Sequence, residues 1–214
     1  MFEGAMRNLI ALGLLVFLLA IGACDSTVGT DCGPFEDKFK TTDFSSAARK
    51  ATFDSLKVEP NLSPIEDDTL DEGHFAVRME PVKMLYSQKS TSSGSFQIIS
   101  SAYACSPPIP TSDEVIKDIR IYSDKDFNDG YPAGKDLAEL FDVVVLNRAE
   151  YGYRRFELPN FVEQKPNAAD KLILILKARP ETTSSFQFTV EYEQEGKGLA
   201  NYDFETNPVV LKSI

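Results

Sequence analysis

Histidine, cysteine and tryptophan are almost missing from this 214-residue chain, which holds one His, three Cys and no Trp. So few imidazoles and thiols leave little material for a His/Cys zinc centre. Any Ser-His-Asp mechanism would have to use His74, and no G-x-S-x-G elbow accompanies it. Positive charge is scarce as well. With 22 basic against 33 acidic side chains and a net charge of −11, nothing offers the concentrated basic face that a phosphate backbone needs, so nucleic acid is not an expected partner. What is present is 43% hydrophobic and 26% charged residues, the composition of a globular core and not of a disordered chain. The length suits one domain or two small ones.

Long apolar runs are confined to Leu9–Ala23, LIALGLLVFLLAIGA, fifteen residues without a polar side chain. That is short of the roughly 18 that a membrane-crossing helix needs. It fits the apolar core of a secretory signal, with Arg7 as the basic flank and small residues at the end. Glu3 partly offsets Arg7, so Met6-Arg7 makes a cleaner start than Met1. The run closes Ile21-Gly22-Ala23-Cys24, which resembles the lipobox of bacterial lipoproteins. There, small residues let the extended backbone enter a dedicated peptidase, and the thiol accepts the lipid. The resemblance implies a signal peptide over 1–23, acylation of Cys24 with palmitate-type chains, and a membrane partner reached through that anchor. Several acyl chains meet the requirement for more than one anchor. The alternative is cleavage by the general signal peptidase, with Cys24 an ordinary thiol. Asp25 resembles the inner-membrane retention signal of enterobacteria. The stretch CDSTVGTDCG has the acidic residues, but not the Lys or Gln, of surface-exported Bacteroidota lipoproteins. The expected location is the bacterial cell envelope, the outer membrane foremost, with 24–31 as a tether and 32–214 as the domain.

With Cys24 acylated, Cys32 and Cys105 remain as an even pair in an oxidising compartment. A disulfide would close a loop of about 74 residues, for which loop entropy gives roughly 4 kcal/mol at most. Two free thiols are the alternative. Metal binding by the pair is disfavoured, because no His or further Cys lies near either.

Periodicity along the chain is mostly two. Phe186, Phe188, Val190 and Tyr192 alternate with Gln187, Thr189, Glu191 and Glu193, which predicts a half-buried strand. Lys171–Ala178, KLILILKA, is apolar on both faces and predicts a central strand. Turns are predicted at 179–183 and at Glu195-Gly196-Lys197-Gly198, and a short closing strand at 209–212. Phe75, Val77 and Met79 start a strand that resumes through Met84 and Tyr86, with a bulge or edge at Pro81. Further strands are predicted at 96–104, 115–123 and 154–158, and weaker ones at 39–44 and 52–58. Only 136–141 reads as helical. About eight strands separated by Pro/Gly turns predict an all-β antiparallel β-sandwich. From Phe156 onward the pattern resembles the last strands of an immunoglobulin-like module. Cys32-Gly33-Pro34-Phe35, Ala104-Cys105-Ser106-Pro107-Pro108 and Phe127 with Pro132–Leu137 are similar to a domain-of-unknown-function group of small Bacteroidota lipoproteins. That resemblance implies a β-rich fold and no assigned activity.

Several constellations could carry chemistry. Asp124, Asp126, Asn128 and Asp129 place hard oxygens at near-alternate positions, as Ca²⁺ prefers. Against an EF-hand, Gly130 sits seventh and Lys135 twelfth, so an Asx-rich turn is the favoured reading. Glu59–Glu72 is acidic and reads as a solvated loop. Tyr151, Tyr153, Arg154, Arg155 and Phe156 could form a ligand edge, or could be plain alternating strand residues. Asp25-Ser26-Thr27, Asp54-Ser55-Leu56 and Asp68-Thr69-Leu70 resemble the Bacteroidota O-glycosylation sequon, with Ser26, Ser55 and Thr69 as acceptors, and equally suit turns. No residue reads as catalytic and no cofactor is expected. The expected role is a non-enzymatic binding or adhesion module for an envelope protein or glycan. The alternative is a structural or accessory subunit of an envelope complex. A concave aromatic face with convergent polar groups favours the first, and an open strand edge the second.

Overall fold

The computed structural model describes residues 38–66, 69–71, 73–86, 109–148 and 152–213. All belong to one compact unit, Glu36–Gly94 with Pro108–Ile214. The unit is mostly β, built of antiparallel sheets with one curled as a half-barrel. In chain order its elements are β1 (Lys38–Thr52), β2 (Asn61–Ser63), β3 (Phe75–Tyr86), β4 (Thr111–Ser112), β5 (Val115–Ser123), β6 (Phe141–Asn147) and β7 (Gly152–Glu157). A helical turn and a half, α1 (Leu158–Glu163), leads to β8 (Lys171–Leu176), β9 (Ser184–Phe186), β10 (Phe188–Glu195), β11 (Asn201–Glu205) and β12 (Val209–Leu211). The largest sheet runs β2-β1-β3-β8-β6-β7, with β4 added in parallel to β1. A second sheet runs β11-β10-β5, and β12 pairs with β9.

The apolar pattern explains these strands. In β5, Ile116 is buried, then Ile119, Ile121 and Ser123. The spacing of three at the start departs from strict alternation, and there the ladder to β10 skips Lys117, leaving a bulge. The same signature recurs in β1, where Thr41 and Phe44 are buried and the register slips between Thr41 and Asp43. Pro81 sits within β3 opposite Phe44, so the irregularity lies on the facing strand, beside the proline. β8 reaches β3 only over Ala76–Met79, so Pro81 interrupts no ladder on that side.

β8 is central, between β3 and β6, and is buried on both faces. Its Leu172, Leu174 and Leu176 enter the main core, while Ile173 and Ile175 join Ala51, Ala76 and Val144 on the opposite face. The main core brings Phe75 and Phe141 of the large sheet against Phe188 of β10, at 4.8 and 6.3 Å between ring centroids.

Four expectations change. The helix expected at 136–141 is a 3₁₀ turn over Ala138–Leu140, because the chain enters β6 at Phe141. The two weak strands at 39–44 and 52–58 are instead one long β1 followed by a loop. The strand at 154–158 begins at Gly152 and ends at Glu157, since Pro159 stands in the first turn of α1, where its missing N–H is harmless. The single strand expected at 185–193 is divided into a short β9, which ends at Phe186, and β10, which begins at Phe188. The strand expected at 96–104 lies outside the described residues.

Candidate functional site

Cys24, Cys32, Cys105, Ser26 and Tyr151 lie outside the described residues. Ser55 stands at the tip of the β1–β2 loop, where Lys57 N–H donates to the Asp54 carbonyl and Leu56 N–H to Asp54 Oδ1. Leu56 beside it is 90% exposed. Thr69 is exposed too, just ahead of buried Leu70. The Asp124–Asp129 segment is a turn held by its own side chains. Asp124 Oδ1 accepts from Gln187 N, Asn128 Oδ1 from Gly130 N and Asp126 Oδ1 from Ala133 N, at 2.8, 2.9 and 2.8 Å. Among the described residues no group of three His, Cys, Asp or Glu side chains is gathered as a metal would need. His74 is half-buried at the entry to β3, its carbonyl accepting from Ala51 N. In the acidic segment, Glu59 meets Lys171 at 3.7 Å and Asp71 meets Lys212 at 3.6 Å.

The aromatic and arginine run of β7 is divided between two faces. Register sets Asn147 opposite Gly152, Val145 opposite Arg154 and Val143 opposite Phe156. Val143 and Val145 belong to the main core, so Arg154 and Phe156 face that side. Tyr153 and Arg155 point the other way. Arg155 grips Asp142 through Nε and Nη2, both at 2.8 Å, and its guanidinium lies over the Phe53 ring at 5.2 Å. Tyr153 packs on the outer apolar cluster, and burial there raises its phenol above the ordinary value, helped by a hydrogen bond with Glu59.

α1 folds back under β7, with Leu158 and Phe161 buried. The Phe161 ring comes to 5.7 Å from that of Phe156. Between them opens a cleft of about 250 Å³. Val145, Phe156 and Phe161 give it apolar walls, and Gly152 and Pro166 complete the rim. Its polar lining residues are Arg154, Asn147, Gln164, whose Nε2 donates to the Asn160 carbonyl at 3.0 Å, and Asn167, with no acidic residue in the lining. Arg154 is exposed and makes no ion pair among the described residues. A smaller hollow of about 60 Å³ adjoins at Asn147 and Asn167 and reaches Phe39 and Asp170, which is bonded to Lys83.

A second opening lies along β1. One edge of this strand is paired with β3; on the other, among the described residues, strands pair with it only at its ends, β4 at Lys38–Phe39 and β2 at Lys50–Thr52. Thr41 O accepts from Leu199 N at 2.7 Å and Phe44 O from the Tyr202 hydroxyl at 3.4 Å. Beyond them a cleft of about 670 Å³ separates Ser46–Arg49 from Phe204, Glu205 and Asn207–Val209.

The chain matches no family model, no curated protein and no solved structure. The two clefts therefore have to be read on their own chemistry. The first combines apolar walls with one cationic and several amide residues in its lining, as small-ligand sites do. The second offers strand backbone and a more polar lining. Sequence reasoning singled out Arg154 and Phe156 but not Phe161, Gln164 or Asn167. The available signal was Pro159, which marks a helix start and hence a chain that turns under the strand.

Proposed function

We propose that this chain is a lipid-anchored protein of the bacterial cell envelope, a non-enzymatic binding module that takes its ligand in the cleft beneath β7. In this reading the domain is an antiparallel β-sandwich with immunoglobulin-like closing strands, tethered through Cys24. The observation that carries it is that Arg154, Asn147, Gln164 and Asn167 line one cleft with the Phe156–Phe161 pair. Val145, Phe156 and Phe161 are all tied to the main core, so the walls are fixed before any ligand arrives.

The anchor and the cleft are tested separately. In cells fed an alkyne-bearing palmitate, the parent chain should carry the label and Cys24→Ala should lose it and leave the membrane fraction. Label retained in Cys24→Ala would remove the lipobox from the argument. For the cleft, the full chain released from its own envelope with mild detergent is weighed intact under native conditions. A non-covalently bound mass is expected, and it should vanish in Gln164→Trp, whose indole fills the cleft from an exposed rim position. The same mass on both proteins would place the ligand elsewhere.

The stretch of β1 edge that no described strand pairs with favours a second reading, an accessory subunit that adds a partner's strand to its own sheet. A photo-crosslinker at Ala47 would then capture an envelope protein, and Gln164→Trp would leave that capture unchanged.

A further inference from the structure

We infer that the β7 cleft selects a monoanion, a carboxylate carried on a flat apolar group, with the Arg154 guanidinium as its counter-ion. The inference rests on reading that cleft as the ligand site. It starts from a contrast between neighbours. In a chain with 33 acidic and 22 basic side chains, three of the described arginines pair with carboxylates. Arg155 holds Asp142, Arg78 reaches Glu80, and Arg120 reaches Asp118 and Glu191. Arg154, on the cleft side of the same strand, meets none among the described residues; Arg49 and Arg148 meet none either, but of the three Arg154 alone lines this cleft.

A planar guanidinium presents paired N–H donors that match the two oxygens of a carboxylate. The overall field of a protein at net charge −11 repels anions. Binding must therefore come from a local site cleared of carboxylates, as this lining is. One cation among neutral amides balances one negative charge, which favours a carboxylate over a doubly charged phosphate ester. Asn167 adds donors and acceptors for the remaining polar edge, as does the Gln164 side-chain oxygen, its Nε2 already donating to the Asn160 carbonyl at 3.0 Å, and the Phe156 and Phe161 rings offer flat apolar walls. An apolar cavity of roughly 150 Å³ accepts benzene, so this cleft of about 250 Å³ suits an aryl or arylalkyl carboxylate.

The test uses the full chain in lipid nanodiscs and fluorine NMR of two probes, para-fluorophenylacetate and its uncharged amide. The acid should broaden on the parent protein far more than the amide. Arg154→Gln should weaken the acid by about tenfold or more and leave the amide unchanged. This variant should melt with the parent, because the guanidinium is exposed and makes no ion pair among the described residues. Acid and amide binding alike, with Arg154→Gln indifferent and Gln164→Trp blocking both, would overturn charge selection while leaving the cleft a ligand site. No broadening of either probe at millimolar protein would overturn the inference. The bound native mass, which depends on neither probe, then decides separately whether the cleft binds anything.

Discussion

Phe188→Ala should destabilise the fold by about 3–5 kcal/mol, the range for emptying a fully buried aromatic position. Phe188 opens β10 and is completely buried. Its ring stacks on Phe75 of β3 at 4.8 Å, meets Phe141 of β6 edge-on at 6.3 Å and lies 6.1 Å from Phe186 of β9. Those partners belong to the largest sheet and to the β9–β12 pair, so one side chain ties three sheets together. The backbone around it is fixed as well. Phe188 N donates to Thr206 Oγ1 at 3.0 Å, and Phe188 O accepts from Thr206 N at 2.8 Å. Walls held by separate ladders cannot collapse into the space left, so the cavity term should be retained nearly in full. Phe188→Leu keeps much of the volume and should lose only about 1–2 kcal/mol. Denaturant unfolding of the full chain measures both, and a loss under about 1 kcal/mol for Phe188→Ala would mean that the ring is not the joint described.

How much of this was legible depended on whether one face of a strand stays wet. β5 and β10 were readable because their outer faces carry Lys117, Arg120, Glu191 and Glu193. β8 was readable for the opposite reason, since the five-residue apolar run Leu172–Leu176 leaves neither face polar. β6 was missed. Val143 and Val145 face the main core while Val144 enters the outer cluster, so alternation is erased, and the preceding 136–141 stretch read as a helix. α1, at six residues, is too short to show a helical period. The bulges were present in the sequence as spacings of three, Thr41 to Phe44 and Ile116 to Ile119, but only burial reveals which spacings matter. The site followed the same logic. Alternation separates Arg154 and Phe156 from Tyr153 and Arg155, yet Phe161 and Gln164 join them only because the chain reverses after Glu157, which no periodicity encodes.

Gly198→Ala should destabilise by about 3 kcal/mol or more, beyond what a turn glycine alone would explain. The segment Glu195–Gly198 read as a simple turn, but the glycine is required by a close approach. A Cβ there would stand 2.1 Å from both Thr41 O and Glu114 Oε1, and 2.9 Å from Thr41 N. None of these can easily retreat. The Thr41 N–H goes to Glu114, only 2% exposed, whose two oxygens accept it at 3.1 and 2.8 Å. The Ser112 hydroxyl donates to the same carboxylate at 3.3 Å, and Thr41 O is held by Leu199 N at 2.7 Å. Nearby, burial foremost and then the Glu114 charge push the Tyr192 phenol well above its ordinary value. An added methyl must lift the β10–β11 hairpin and strip a buried carboxylate of its donors, so overpacking and lost hydrogen bonds add. Removing the carboxylate should relieve part of the clash. In a Glu114→Ala background the further loss from Gly198→Ala should therefore shrink by at least about 1 kcal/mol, a coupling that a double-mutant cycle reads directly. Strict additivity would assign the whole effect to the Thr41 backbone, and a single variant within about 0.5 kcal/mol of the parent would show that the hairpin does not seat on Glu114 at all.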